Sequence, residues 1–493
     1  MVSKKRVNRD ALKLDEGTKL SGLVLADAFV RGPMKALQQQ AGNFVAGGFF
    51  DIRNLYYTAA NFPQPIKNGT IKATLENSGG IADNTAINIS AGHIEIGNDP
   101  LDFSLQLTKP FSDVNFAGHA KGRFTLDHIK QFTNLAPGTS INGLLNADMG
   151  FTGNKMAIIQ KKYDDVTFSG NASVNNLNYK SADYPSGITI NGAQLSFKPA
   201  SIIVSSMSGK YLNTDFTADG ALNNFIGFLL NEQTLVGNLN ASTGTLNLNE
   251  WMGTSAAPVD NNSSAKTAAP FLVPKGVTFA VNAKVNKVIY DEVDYNNVSG
   301  TMILDDEMIA LKNVTTNVLG GDVVLNGSYS TKTHKIEPDI GLTYDIKNMD
   351  VQKAFAAYNT IQALMPIGKF LSGTLNSQLT LTGSMMGDMM PKLNSLSGNG
   401  NLLLLKGLLQ KFAPLEKLAE ALQIDLLRSI SVKEIKNYIE FANGRVMVKP
   451  FNLKIDDIEM MIGGFHGFDN SIDYSIQMKL PRSAMGSQGI SGK

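Results

Sequence analysis

Long stretches of the chain alternate apolar and polar residues with a period of two, the spacing that puts every second side chain on one face of a β-strand. Leu101, Phe103, Leu105 and Leu107 alternate with Asp102, Ser104 and Gln106. Leu375, Ser377, Leu379 and Leu381 alternate with Asn376, Gln378 and Thr380. Ile439 and Phe441 lead to Asn443-Gly444, followed by Val446, Val448, Phe451, Leu453 and Ile455. Asn-Gly between alternating runs is the strongest short hairpin signal. It recurs at Asn68-Gly69, Asn142-Gly143, Asn191-Gly192 and Asn326-Gly327, so the pattern predicts an antiparallel meander with tight turns at these sites.

Helical spacing is rarer. Residues 408–438 carry Leu408, Phe412, Leu415, Leu418, Leu422, Leu426, Leu427 and Ile430 near helical intervals, with Pro414 suited to a first turn. Residues 349–370 and the short segment 126–132 are two further helix candidates, and Asp127 favours a helix N-terminus. Residues 254–270, TSAAPVDNNSSAKTAAP, predict a flexible linker or loop. The chain therefore divides into a partly helical or irregular segment (1–45), a repetitive β-groove region (46–253), the linker, a second repetitive β region with a helix near 349–370 (271–370), and a C-terminal β region with helices near 408–438 (371–493).

Internal repeats tie these regions together. Ile52-Arg-Asn-Leu-Tyr-Tyr57 lines up with Val174-Asn-Asn-Leu-Asn-Tyr179 and with Val285-Asn-Lys-Val-Ile-Tyr290. A second family pairs the run from Ile141 to Gly153 with the run from Leu371 to Gly383. Units of this kind extend a sheet in one direction. On the order of 30 strands at ~4.8 Å would make it long, and a long sheet twists and curls to stay soluble. The predicted fold is mostly β: a long, twisted antiparallel sheet curled into an elongated groove, with a few short helices. Its candidate lining is Phe103, Leu105, Leu107, Leu145, Met149, Phe151, Leu375, Leu379, Leu381, Val446, Val448, Phe451 and Leu453. The same positions would serve equally as ordinary core under a helix or a second sheet.

Composition removes several function classes. The 493 residues carry 44 basic and 43 acidic side chains, a balance that argues against nucleic acid as a partner. Cysteine is absent, so there are no disulfides, thiolate metal sites or cysteine nucleophiles. No apolar run reaches the ~18 residues of a membrane span. Met1–Lys19 is basic without an apolar core behind it, unlike a signal peptide. His93, His119, His128, His334 and His466 lack metal-ligand spacing and read as surface residues. Asp164-Asp165, Asp305-Asp306 and Asp456-Asp457 read as turn residues rather than as the paired carboxylates of a glycosidase. Gly398-Asn-Gly400 lacks the third glycine of a dinucleotide loop, since position 403 is Leu. No catalytic residue, metal or cofactor is expected, and the chain reads as a non-enzyme.

The C-terminal third has a distinctive order. A glycine-punctuated strand, Ser397-Gly-Asn-Gly-Asn-Leu-Leu-Leu-Leu405, leads into the helical residues 411–427. The strands Ile439-Glu-Phe-Ala-Asn-Gly-Arg-Val-Met-Val448 and Phe451-Asn-Leu-Lys-Ile455 follow, then Ile462-Gly-Gly-Phe-His-Gly-Phe-Asp469 and a last strand from Ser471 to Leu480. This order resembles the C-terminal region of the AsmA family of Gram-negative envelope proteins. The close likeness covers about 371–480, and the repeats extend a looser one over most of the chain. The resemblance implies a twisted β-sheet bent into an apolar groove. It also implies a periplasmic location, an inner-membrane anchor in the full-length protein, and a part in outer-membrane biogenesis or phospholipid transport. Phospholipid and the membranes or envelope proteins on either side would be its partners. The sequence departs from the family in having no N-terminal membrane helix, so it is expected to be a piece of a longer member with neither anchor nor signal. Two rivals stand beside this reading: a structural or adhesive β-repeat protein with a filled core, and a polysaccharide-active β-enzyme with acidic residues converging in a cleft.

Overall fold

The computed structural model describes residues 17–479 except 34, 36–43, 254–269 and short internal stretches of one to four residues. The chain is mostly β and forms two compact units, Met1–Asn238 and Leu239–Lys493. In the first unit the strands are β1 (Lys19–Arg31), β2 (Val45–Ala59), β3 (Phe62–Asn77), β4 (Ala86–Ile96), β5 (Asp99–Thr108) and β6 (Asn115–Thr125). They continue with β7 (Ser140–Asn154), β8 (Thr167–Lys180), β9 (Ile188–Lys198), β10 (Ser201–Tyr211) and β11 (Thr214–Asn223), while β12 (Leu235–Asn247) contains the boundary.

The second unit holds β13 (Val277–Tyr290), β14 (Val293–Asp305), β15 (Met308–Val318), β16 (Gly321–Ser330), β17 (Asp339–Asp350) and β18 (Leu371–Ser384). It ends with β19 (Ser397–Gln410), β20 (Ser429–Ala442), β21 (Arg445–Ile455), β22 (Ile458–Gly467) and β23 (Ile472–Lys479). From β1 to β11, and again from β13 to β23, every strand pairs antiparallel with its neighbour in sequence. Each run is an open meander, not closed into a barrel, as the alternation predicts. Within the N-terminal segment expected to be partly helical or irregular, Lys19–Arg31 is a strand.

The Asn-Gly signals divide. Asn443 (φ 52°) and Gly444 (φ 71°) form the hairpin turn between β20 and β21, with positive φ at both central positions as a type I′ turn requires. The other Asn-Gly pairs lie inside strands β3, β7, β9 and β16. At Asn68 and Asn142 the ladder register shifts, so a bulge, which also favours a residue in the left-handed region, takes the place of the expected turn. The repeats mark the same device. Asn54 and Asn176, third in their copies, have φ of 53° and 50°; Gly143 and Gly373, third in the other family, have φ of 133° and 129°. A Cβ on Gly373 would meet the Lys406 carbonyl oxygen at 1.9 Å. Gly373→Ala is therefore expected to lower stability by more than ~2 kcal/mol through strain and overlap together. Chemical denaturation checks this, and an unchanged midpoint would show that the bulge relaxes freely.

The helices are shorter than their apolar spacing predicts. Among the described residues they are α1 (Lys155–Ile159), α2 (Leu248–Gly253), α3 (Val351–Ala357) and α4 (Ala413–Leu422), with 3₁₀ turns at Ala82–Asn84, Leu126–His128, Pro366–Phe370, Leu393–Ser395 and Asp425–Arg428. The expected helix over 408–438 is corrected: Leu408 and Leu409 end β19, and Ser429–Ala442 is β20. Glu434 sits at φ 53°, and there the inward face of β20 changes phase. Ile430 and Val432 point inward before it, Ile435, Ile439 and Phe441 after it. The helical spacing itself ends at Ile430, so it belongs to α4 and the turn after it and does not extend over β20. The linker expected at 254–270 lies outside the described residues except for Pro270, as do residues 129, 131 and 132 of the segment 126–132, which opens with the 3₁₀ turn Leu126–His128.

The second unit has packed cores. Ala419 of α4 joins Ile424, Leu427, Ile430, Val432, Leu453, Ile455, Ile458 and Met460 in one cluster. Ala354 of α3 covers Val293, Val318, Val323 and Met349 in another. Asp350 caps α3, its carboxylate accepting the Lys353 N–H at 2.9 Å. On β16, the Tyr329 hydroxyl donates to the Phe271 carbonyl at 2.7 Å, and burial pushes its pKa up to about 12. The folded state holds the neutral phenol above the unfolded value near 10. This contribution to stability is complete below pH ~10 and is lost as pH rises through about 12. Difference absorbance at 295 nm between the chain and Tyr329→Phe should show the missing phenol ionising near pH 12; ionisation near pH 10 would contradict the half-burial of this phenol.

Candidate functional site: an apolar face in the first unit

Residues directly opposed across antiparallel strands share a face. Ile89, Leu105, Gly118, Phe151 and Phe168 form one cross-strand row over β4 to β8. Gly92, Phe103, Ala120, Met149, Gly170 and Phe197 form the next. Leu107 opposes Phe116, and Leu145 lies between Phe124 and Val174. The structure thus brings Phe103, Leu105, Leu107, Leu145, Met149 and Phe151 onto one continuous apolar face. All of them are only half-buried, and among the described residues no buried apolar cluster forms on this face.

Glycines shape the floor. Phe103 opposes Gly92, Phe151 opposes Gly118, and Phe116 opposes Gly153. A Cβ on these glycines would come within 2.4, 2.6 and 2.8 Å of the facing ring, so each ring lies over its glycine partner. Aromatic rings laid over strand glycines recover contact that the missing side chain would have made. The rings of Phe116 and Phe151 are 6.2 Å apart. Sequence reasoning missed Phe116, Phe168, Gly92, Gly118 and Gly153. Their signal was a glycine within an alternating run, directly opposite a phenylalanine on the paired neighbouring strand.

The remaining seven expected lining residues lie in the second unit and are packed more tightly. Leu379 (5% exposed), Ile439, Phe441 and Val446 (1% exposed) form a buried cluster, with Leu381 and Val448 against it. Leu453 belongs to the cluster under α4, with Phe451 packed on it, and Leu375 is buried. Local alternation is the same in both units; the burial of the face differs.

The opposite face of the first unit is a solvated charge ladder. His93 Nδ1 is 2.7 Å from Asp102, and His119 Nε2 is 2.6 Å from Asp148, which also pairs with Lys121 at 3.1 Å. Lys121 and then His119 hold the Asp148 carboxyl below the usual carboxylate range. His466 departs from the surface expectation: it is buried on β22, stacked on Tyr474, with Nδ1 3.0 Å from the tyrosine hydroxyl. Two packed sheet strands, rather than its own neighbours in sequence, enclose it. Among the described residues no group of three His, Asp or Glu is arranged to hold a metal ion. Asp306 and Asp456-Asp457 sit at turns, and Asp306 pairs with Lys332 at 3.0 Å; Asp164 lies outside the described residues. No helix among the described residues is long and apolar enough to cross a membrane.

Compared with protein-family models, with curated proteins and with solved structures, the chain matches none.

Proposed function

We propose that the chain is a non-enzymatic envelope protein whose apolar β-face binds lipid tails and takes part in phospholipid transport or outer-membrane biogenesis. The observation that supports this reading is the half-exposed face of Phe103, Leu105, Leu107, Leu145, Met149 and Phe151, which no buried apolar cluster covers among the described residues. Soluble surfaces seldom keep a contiguous apolar area of this kind without a binding role. Each methylene of a tail laid on it gains roughly 0.8 kcal/mol. A chain on this face would leave its headgroup in water, and no charged residue stands among the six. The periplasm, inner-membrane anchoring of the full-length protein, and membrane or envelope-protein partners follow from the resemblance to the AsmA family and belong to the same proposal.

The rival is a structural or adhesive envelope β-repeat protein with a filled core. The packed clusters of the second unit favour it there. Native mass spectrometry with lipid extraction separates the two. The proposal expects phospholipid to co-purify with the chain from an envelope-targeted expression strain. A lipid-free mass from well-folded protein would leave the structural reading in its place.

A further inference from the structure

The packing of the second unit has a seam. β20 and β21 pair only from Ile439 to Ala442 against Arg445 to Val448. Continued in the same register, Tyr438 would face Lys449 and Asn437 would face Pro450, and proline has no N–H to give. On its other side Asn437 opposes Leu402, which opposes Ser377. Asn437 therefore faces inward, between Ile435 and Ile439 on the apolar side of β20. The cluster under α4 lies on one side of it and the Leu379–Phe441 cluster on the other. Leu404 and Ile435 pack against the first of these clusters and Leu402 and Val448 against the second, and all four remain half-buried.

In that apolar setting the Asn437 Oδ1 is buried and has no hydrogen-bond partner. The residue as a whole is half-buried, and its amide nitrogen, unlike the oxygen, is not among the buried unpartnered atoms of the described residues. A buried amide oxygen left unpaired is a standing cost that a leucine of similar volume would avoid. Ser377, in the same row, is by contrast satisfied: it bonds the Asn401 carbonyl at 3.0 Å.

We propose that the β20–β21 seam is a polar subsite in which the Asn437 side-chain amide takes the hydroxyl group of an amphiphile whose hydrocarbon lies on Leu402, Leu404, Ile435 and Val448. This rests on the reading of the protein as a lipid-tail binder and adds the polar group it selects. A hydroxyl suits the site because it donates to an amide oxygen and accepts from an amide N–H, so it satisfies the amide in either orientation.

The test uses the full chain and two probes that differ by one donor, 1-hexadecanol and hexadecyl methyl ether, each displacing a fluorescent fatty acid. The expected result is a preference for the alcohol of about fivefold, the size of one net hydrogen bond. In Asn437→Leu and Asn437→Ala the alcohol should fall to the level of the ether, with Asn437→Leu melting no lower than the original chain. Equal binding of both probes to the original chain, or a preference that survives both substitutions, overturns the subsite and leaves the tail-binding reading standing. Binding of neither probe overturns both.

Discussion

Leu379→Arg is expected to unfold the second unit rather than to obstruct a path along it. Leu379 is 5% exposed and packs with Ile439, Phe441 and Val446, with Tyr344, Leu381 and Leu402 around them. Its cross-strand partners are Tyr344 and Gly400. A Cβ on Gly400 would already lie 2.8 Å from a Leu379 methyl, so there is no spare volume in which a longer side chain could turn. A guanidinium placed there is a buried charge without a carboxylate, and the chain must either open or lose the packing of four side chains. The expected loss exceeds ~4 kcal/mol, the range of the most damaging single changes. Thermal melting followed by hydrogen exchange should show amides of β18 to β21 losing protection. A variant that melts normally would mean that this face is open after all and that Leu379 belongs to a lipid path.

Leu105→Arg combined with Met149→Arg is expected to do the reverse: little change in melting and loss of bound lipid. Both side chains are half-exposed on the face of the first unit. No buried apolar cluster covers them among the described residues, so the new side chains can lift away from the sheet toward water. Long stems can lie along the apolar surface while the guanidinium reaches water, which keeps the cost to folding within about 1 kcal/mol. For a hydrocarbon tail the same change is severe. Every methylene displaced forfeits ~0.8 kcal/mol, and two charges in the middle of the face interrupt any continuous contact. Lipid measured by native mass spectrometry should drop at least tenfold. Unchanged lipid would place the binding face elsewhere, whereas collapse of the first unit would show these side chains to be core.

The contrast between these substitutions separates what alternation reveals from what it hides. In Leu101–Leu107 and in Leu375–Leu381 the pattern placed the right residues on one face, and antiparallel pairing of sequence neighbours followed from the short connections. Where a local signal has two structural uses, the pattern misled. Positive φ serves a bulge as well as a turn, so Asn68-Gly69 and Asn142-Gly143 proved to be within strands. Leucines at helical spacing from Leu415 to Leu427 belong to a ten-residue helix and a 3₁₀ turn, so the strand Ser429–Ala442 behind them was drawn into a longer helix.

The burial of a face is a different kind of fact. Leu105 and Leu379 stand in runs of the same character, yet one is half-open and the other sealed. Nothing within either run distinguishes them, because a strand specifies which way its side chains point and not what arrives above them. Val446 reaches its cluster from the far side of a hairpin, and Leu427 and Ala419 reach theirs from a separate helix and turn. The amino-acid sequence by itself determined a mostly β, antiparallel chain with one apolar face and the repeats that extend it. Only the tertiary structure decided which part of that face is filled, which part stays open, and where Asn437 is left unpaired, because those depend on contacts between segments far apart in the chain.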